Sequence, residues 1–335
     1  MNRRSFLAGG TALLIGAGAR ERIKAGQIGT VHSHASGKME ALRRLTEQYE
    51  AVGVVGDGKD KVYEGLPRLA EKDLLAREDV RVIVVETAIE EATATALRAI
   101  EAGKHVHLDK PGGTDVAAFR AMRLRAQERK LVVQMGYMLR HNPAFELLFK
   151  ASREGWLGEI LEVSATMGKL AGADARRTLA AYPGAGMFEL ACHLVDAVVT
   201  LLGKPAKVSA FPRATGADGL ADNQLAVLEY PKALVTLRSN HVDPDGFARR
   251  SFEVVGTKGS IRIAPLESGK LTVTLSEKAG TFDKGSHPLA LKLPAGRYDG
   301  EFLHLARAVR GEEPFGWGAE HDVAVLETAL KAAGA

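Results

Sequence analysis

One cysteine, Cys192, stands in the 335 residues, which excludes an intrachain disulfide framework and any multi-cysteine metal site. A dense basic patch interleaved with aromatics is also missing. The 45 Lys and Arg face 41 Asp and Glu, and so small an excess leaves no footprint for a nucleic-acid partner. The apolar stretch near the start, 8–15, is too short and too rich in Gly and Ala to span a bilayer. Internal repeats and low-complexity linkers are lacking too. With 46% hydrophobic and 26% charged residues, the disordered, collagen-like and coiled-coil classes are out. What is left is a chain of about two domains by length, each able to bury a core.

The N-terminus carries Arg3-Arg4, then Ser5-Phe6-Leu7, the short apolar run, and Ala17-Gly18-Ala19. A basic start, an apolar middle and an A-x-A end are the parts of a cleavable export signal. The Arg-Arg-x-Phe-Leu order resembles a twin-arginine signal, which addresses proteins for export. The expectation is that 1–19 is removed and that the mature protein is periplasmic or otherwise exported, with no membrane span. Export of an already folded protein would let a cofactor be loaded first.

From 22 to 137 short β-rich runs alternate with helical stretches. Strands are predicted at 23–28, 52–55, 82–85, 106–108 and 131–135, with helices at 36–48, 66–75, 89–102 and 116–129. Gly103 suits a left-handed cap after the third helix. Apolar strands separated by helices of this length indicate a parallel sheet covered on both faces, a doubly wound nucleotide-type domain. After 138 the texture changes. A helix fits 143–154, a strand 160–167, a loop 168–186 and a helix 187–202. Six short β runs follow between 208 and 275, and helices close the chain at 300–310 and 320–333. Alternation at Leu234-Val235-Thr236-Leu237-Arg238 is the period-2 signal of an antiparallel sheet with one covered face. The fold class is therefore α/β: a doubly wound parallel sheet in 20–137, then an α/β domain with an open, mainly antiparallel sheet in 138–335. The last helices are free to pack back on the first domain. A cleft between the halves is the expected ligand site.

A dinucleotide site wants G-x-G-x-x-G after the first strand, for a tight turn, close approach of the pyrophosphate and helix packing. The sequence offers Gly29-Thr30-Val31-His32-Ser33-His34, in which Gly29 alone matches; a plain βα turn is the competing reading. Asp57, at the end of the second strand, can accept from an adenosine ribose and would repel a 2′-phosphate, which favours NAD over NADP. In 104–113 the order Asp109-Lys110-Pro111-Gly112 puts a lysine at the end of a parallel strand, where such folds bind ligands. Partly desolvated beside a cationic nicotinamide, Lys110 should titrate low, and Pro111 allows a cis bond. The third segment, Gly184-Ala185-Gly186-Met187-Phe188-Glu189, continues to Cys192-His193 and Asp196. On one helix Glu189 and His193 share a face, and Asp196 is placed to hold the imidazole in one tautomer. Carboxylate, imidazole and orienting aspartate together suit a general base. A surface salt bridge is the bland rival.

Taken together, Ile28-Gly29-Thr30, Gly103-Lys104-His105-Val106, Asp109-Lys110-Pro111 and Gly-x-Gly…Glu-x-x-x-His-x-x-Asp resemble the glucose–fructose oxidoreductase/inositol dehydrogenase (Gfo/Idh/MocA) family over nearly all of 22–330. Tyr137, Arg140, Asn142 and Pro143 look like its interdomain segment, and Gly256-Thr257-Lys258-Gly259-Ser260 like its sheet hairpin. The resemblance implies a Rossmann domain and a second domain whose sheet makes homodimer or homotetramer contacts. It implies Lys110 as the motif lysine and His193 as the catalytic histidine, with Glu189 where aspartate is usual. The cofactor is then contacted by Gly29, Thr30, Val31, His32, Asp57, Glu86, Thr87, Asp109 and Lys110. The substrate would meet Lys110, Tyr137, Arg140, Tyr182, Glu189, His193 and His241. Apart from the resemblance, Asp243 at a strand end and Lys169, Arg176 and Arg177 in the loop could line a polyol pocket, with solvated loop charges the rival reading of the two arginines. Val31 and His34, in place of the second and third glycines, are expected to crowd the pyrophosphate.

His32/His34 and His105/His107 are H-x-H pairs, but no carboxylate cluster accompanies them in the sequence, so no metal site is expected. The leading expectation is an exported oxidoreductase with tightly bound NAD, or NADP, acting on a sugar, sugar derivative or polyol. One rival is lyase or glycosidase chemistry through transient C3 oxidation. The other is a non-catalytic sugar-binding protein on a dehydrogenase scaffold.

Overall fold

The computed structural model describes residues 21–335; the export signal read at 1–19 lies outside the described residues. Five strands, β1 (Ile23–Ile28), β2 (Tyr49–Val55), β3 (Val82–Val85), β4 (His105–Leu108) and β5 (Val133–Met135), form a parallel sheet in the order β2-β1-β3-β4-β5. Val82 to Val85 are all buried, as a central strand covered on both faces requires. Helices α1 (Ala35–Arg44), α2 (Glu71–Ala76), α3 (Ile89–Glu101) and α4 (Val116–Glu128) connect them. The αL Gly103 (φ +77°) follows α3 as expected, and Asp115 Oδ1 accepts from the Ala118 N–H at 3.0 Å to cap α4.

A second sheet of eight strands follows: β6 (Ile160–Gly168), β7 (Lys207–Ala214), β8 (Ala221–Glu229), β9 (Leu234–Asn240), β10 (Ser251–Gly256), β11 (Gly259–Ile263), β12 (Lys270–Leu275) and β13 (Gly285–Ala290). Its order is β13-β12-β11-β10-β6-β9-β8-β7, antiparallel except for the β6–β9 pair. Along β8 buried residues alternate with half-buried ones, so one face meets the core and the other faces outward. On the inner face lie α5 (Pro143–Arg153), capped by Asn142, and α8 (Cys192–Leu202). Of the closing helices, α9 (Asp299–Arg310) returns to the first sheet, where Phe302, Leu305 and Ala306 pack with Ile23, Met39 and Val84. The last helix, α10 (Ala319–Ala333), packs on α8 and α4, tying the two sheets together. No helix of the described residues is long and apolar enough to cross a membrane.

Four local readings change. The helix expected at 66–75 is only α2, preceded by a 3₁₀ turn at Lys61–Tyr63. The expected loop 168–186 contains α6 (Ala173–Ala180), an exposed helix burying only Leu179, too polar to show a stripe. The helix expected at 187–202 is two, α7 (Ala185–Glu189) and α8, broken at Leu190-Ala191. The strand β13 was not expected because Pro288 interrupts it; at a sheet edge a missing N–H is tolerated.

Candidate active site

The exits of β1, β3 and β4 lie side by side, and the site grows from the turns that follow them. After β1 the chain turns at Gly29, φ +95°; a Cβ there would come within 2.5 Å of the Glu86 carbonyl and the Thr87 nitrogen. Only glycine fits this approach of two backbones, which accounts for the one fingerprint glycine retained. Val31 is 75% exposed, and the N–H groups of Thr30, Val31 and Ser33 donate to no other described residue. Two hollows meet at Val31. One, about 490 Å³, is lined by Gly29, Thr30, Gly56, Asp57 and Thr87 among others. The other, about 420 Å³, lies between the two halves and is lined by His32, Ser33, Lys169, Tyr182 and Glu189.

A dinucleotide fits this crevice on the chemistry of its walls. Unspent backbone N–H groups at a βα turn suit a pyrophosphate, and the exposed Asp57 carboxylate suits a ribose. A Cβ at Gly56 or Gly58 would come 2.8 Å from Thr30, and the Gly58 N–H is tied to Thr30 Oγ1 at 3.0 Å. Val31 stands out between the hollows and does narrow the passage. Two other expected contacts are corrected. Glu86 is fully buried, with the His32 N–H on its carbonyl at 3.3 Å. Asp109 is 4% exposed and is held by His32 Nδ1 at 2.8 Å and His34 Nδ1 at 2.7 Å. Both are buried beneath the crevice floor.

Lys110, after β4 and before a cis Pro111, crosses to the second half. Its Nζ donates to Glu189 Oε1 at 2.8 Å and to the Glu189 carbonyl at 2.7 Å. That carbonyl is available because the helix breaks just beyond it. Burial pulls the Lys110 ammonium down, but the Glu189 carboxylate and its hydrogen bond overcome this and hold it above the ordinary lysine range. The expected low titration of Lys110 is thus reversed by its partner. Burial alone would raise Glu189, whereas Lys110 and then Lys169, 3.9 Å away, bring it well below the usual carboxylate range. The pair is a buried ammonium–carboxylate.

His193 sits on the next turn, in α8 rather than on a helix shared with Glu189. It is 2% exposed and its Nδ1 has no partner. Burial, then the charge of Lys110, push its imidazole well below the usual histidine range, so it is neutral. Asp196 does not orient it: Arg140 takes that carboxylate at 2.6–3.1 Å, and His321 Nε2 adds a contact at 3.1 Å. Arg140 also reaches Asp322 at 2.7 Å and is 1% exposed. It is a buried structural bridge, not a substrate contact. Tyr137 is buried too, edge-on to the His193 ring at 6.0 Å, and packs the imidazole from behind. His241 lies against Gly186, where a Cβ would come 1.8 Å from its ring, and neither ring nitrogen has a partner. Burial and then Lys169 lower it to about 4. Arg176 is engaged by Asp218 and Asp222, Arg177 by Asp174, and Asp243 by Arg249. Of the second-half candidates, Tyr182, Glu189 and Lys169 remain on the cleft wall.

Sequence reasoning missed Lys38 and Glu301, a fully buried ion pair whose carboxylate also meets His107 Nε2 at 3.1 Å. Its members lie 263 positions apart, so spacing carries no signal. The one available hint is a lysine on the apolar face of α1.

Comparisons with known proteins bear on the family and the fold. Residues 23–137 match the family model described as "Oxidoreductase family, NAD-binding Rossmann fold". Residues 145–262 match the "GFO/IDH/MocA C-terminal domain". A trans-1,2-dihydrobenzene-1,2-diol dehydrogenase from Bos taurus is 32% identical over 48% of each chain. The chain thus spans about half the length of the first curated relatives it matches. The solved UDP-N-acetylglucosamine 3-dehydrogenase GnnA from Acidithiobacillus ferrooxidans superposes with TM-score 0.77 at 19% identity, covering 93% of this chain and 97% of that one. GenD2 from gentamicin A biosynthesis, solved in complex with NAD, gives 0.75 at 23% identity, covering 95% and 94%. At such identities the structures show a shared fold.

Proposed function

The chain belongs to the Gfo/Idh/MocA oxidoreductase family, and on that premise we propose that it is an NAD(P)-dependent dehydrogenase acting on a CH–OH group of a sugar, sugar derivative or polyol. The observation that carries this reading is Lys110, seated on Glu189 across the cleft with the neutral His193 one turn away. When bound, the dinucleotide supplies the hydride acceptor or donor. Thr30, Val31 and Ser33 would hold its phosphates through backbone N–H groups, and Asp57 its adenosine ribose, which favours NAD. GnnA and the bovine relative are both named as dehydrogenases, which supports the reaction class, and the sugar nucleotide in GnnA's name supports the substrate class.

The chain's own groups divide the work. The Lys110 ammonium has three N–H donors, of which two are engaged by Glu189. The third serves a substrate oxygen and stabilises charge developing on it. The neutral His193 accepts the hydroxyl proton; with Nδ1 sealed, exchange falls to Nε2. Tyr182 and Lys169 contact the substrate's remaining hydroxyls from the cleft wall. Retention of the dinucleotide through turnover, export by the twin-arginine signal and pairing of two copies through the open face of the second sheet complete the proposal. On that face Phe211 and Leu234 are 46% and 59% exposed.

The test uses binding and rate together. Lys110→Met and His193→Asn should each lower kcat by about 10²–10⁴-fold while NADH binding, read by fluorescence, stays within a few-fold. Wild-type protein that neither binds NAD(H) or NADP(H) nor releases a dinucleotide on denaturation overturns the reading.

A further inference from the structure

The H-x-H pair at 32–34, which the dehydrogenase reading leaves unused, is not isolated in three dimensions. The turn after β1 sets the His32 and His34 rings side by side, centroids 4.9 Å apart. Asp109, from the exit of β4, brings one oxygen, Oδ2, to both Nδ1 atoms at 2.8 and 2.7 Å. One donor atom from each of the three lies within 4.8 Å of the others. Beside them, from the exit of β3, stands Glu86. It is fully buried, neither carboxylate oxygen has a hydrogen-bond partner, and Oε2 lies 3.6 Å from His32 Nδ1. The neighbouring cations are already committed: Lys38 to Glu301, with its Nζ 3.9 Å from Asp109 Oδ1, and Lys110 to Glu189. A buried carboxylate without a cation or a donor of its own is costly.

We propose that His32, His34 and Asp109 bind one divalent transition metal ion, with Zn²⁺ the best match, at the floor of the crevice, with the buried Glu86 carboxyl beside His32. Two imidazoles and one carboxylate, with a fourth position left to water, are a suitable donor set for Zn²⁺, and donor atoms at about 2.0–2.2 Å from it stand roughly 3.3 Å apart. Asp109 Oδ2 already lies 2.8 and 2.7 Å from the two Nδ1 atoms, and one donor atom of each of the three residues lies within 4.8 Å of the others. Entry is open through the inter-half hollow, which His32 lines. The ion would take the place of the contacts that now link the two imidazoles to Asp109. The residues that depart from the dinucleotide fingerprint thus acquire a use: His34 in place of a glycine is a ligand.

The site stands independently of the dehydrogenase reading, and its test contains no dinucleotide. The full chain, freed of metal with a chelator and then of the chelator, is titrated with Zn²⁺ alone by calorimetry, and with Co²⁺ by visible absorption. About one equivalent should bind, with ligand-field bands of a four-coordinate site and a higher unfolding temperature. The His32→Gln/His34→Gln double variant should lose affinity by at least about 100-fold, and Glu86→Gln by at least about 10-fold. Binding well below one equivalent, or isotherms unchanged in these variants, overturns the site. Circular dichroism checks that the double variant folds; if it does not, Glu86→Gln, which keeps shape and removes charge, decides alone. Protein that takes Zn²⁺ but no NAD(H) keeps the site and loses the dehydrogenase reading, and the converse result does the reverse.

Discussion

Arg140 shows how a single residue's role turns on its partners. As a polar side chain next to the interdomain segment it reads as a substrate contact. In the fold it is the shared cation of Asp196 and Asp322, all three fully buried. Removing one member of such a network strands the others' charge, at about 3–5 kcal/mol. Arg140→Ala should therefore lower the chemical-denaturation midpoint sharply, and adding Asp196→Asn should restore part of the loss. Equal and additive losses from the two substitutions would show that the groups are not coupled. The same logic separates Lys110 from an ordinary strand-end lysine. Its charge is fixed by Glu189, so in the proposed dehydrogenase it would serve as a donor and electrostatic anchor, and base chemistry would pass to His193.

At the scale of elements, the site depends on two interruptions of regular structure. The turn between β1 and α1 crosses the exit of β3 so closely that Gly29 meets the backbone of Glu86 and Thr87. Gly29→Ala must adopt a positive φ and also push two strands apart, costing about 2 kcal/mol or more. Gly65→Ala, at φ +77° with nothing within 4 Å, should cost only about 1 kcal/mol. Thermal unfolding of the two variants measures the difference; equal losses would mean that the close approach carries no energy. The second interruption, between α7 and α8, turns the Glu189 carbonyl toward Lys110. Periodicity alone ran the two helices together, because apolar spacing continues through the break.

Considered whole, the molecule buries an unusual set of neutral histidines. Burial, then the neighbouring His304, lowers His141 to about 3, and His241 is lowered to about 4, against an ordinary 6.5. Such groups take up protons only after unfolding, so the unfolded chain binds more protons below about pH 6.5 and stability rises with pH. Glu301 adds the same sign lower down. Burial opposes its charge, but Lys38 and His107 bring it to about 2, so its contribution is lost as pH falls from 4.5 toward 2. Between pH 7.5 and 5 the urea midpoint should fall, His141 alone contributing about 2 kcal/mol. In His141→Gln that share of the pH dependence should vanish. A midpoint that rises on acidification would contradict the buried neutral state.

How much was legible follows from which information is local. The parallel first domain, the open second sheet, the cap at Gly103, and the placing of Gly29 and Lys110 at strand exits could all be read from the sequence. Hydrophobic period and turn chemistry act over a few residues, so they are written in order along the chain. The partnerships that give those residues their chemistry were settled only in three dimensions: Lys110 with Glu189, 79 positions on, Arg140 with Asp322, and two histidines with Asp109 and Glu86. Charge pairing in a buried crevice depends on distances of a few ångströms between segments remote in sequence, and no local pattern encodes them.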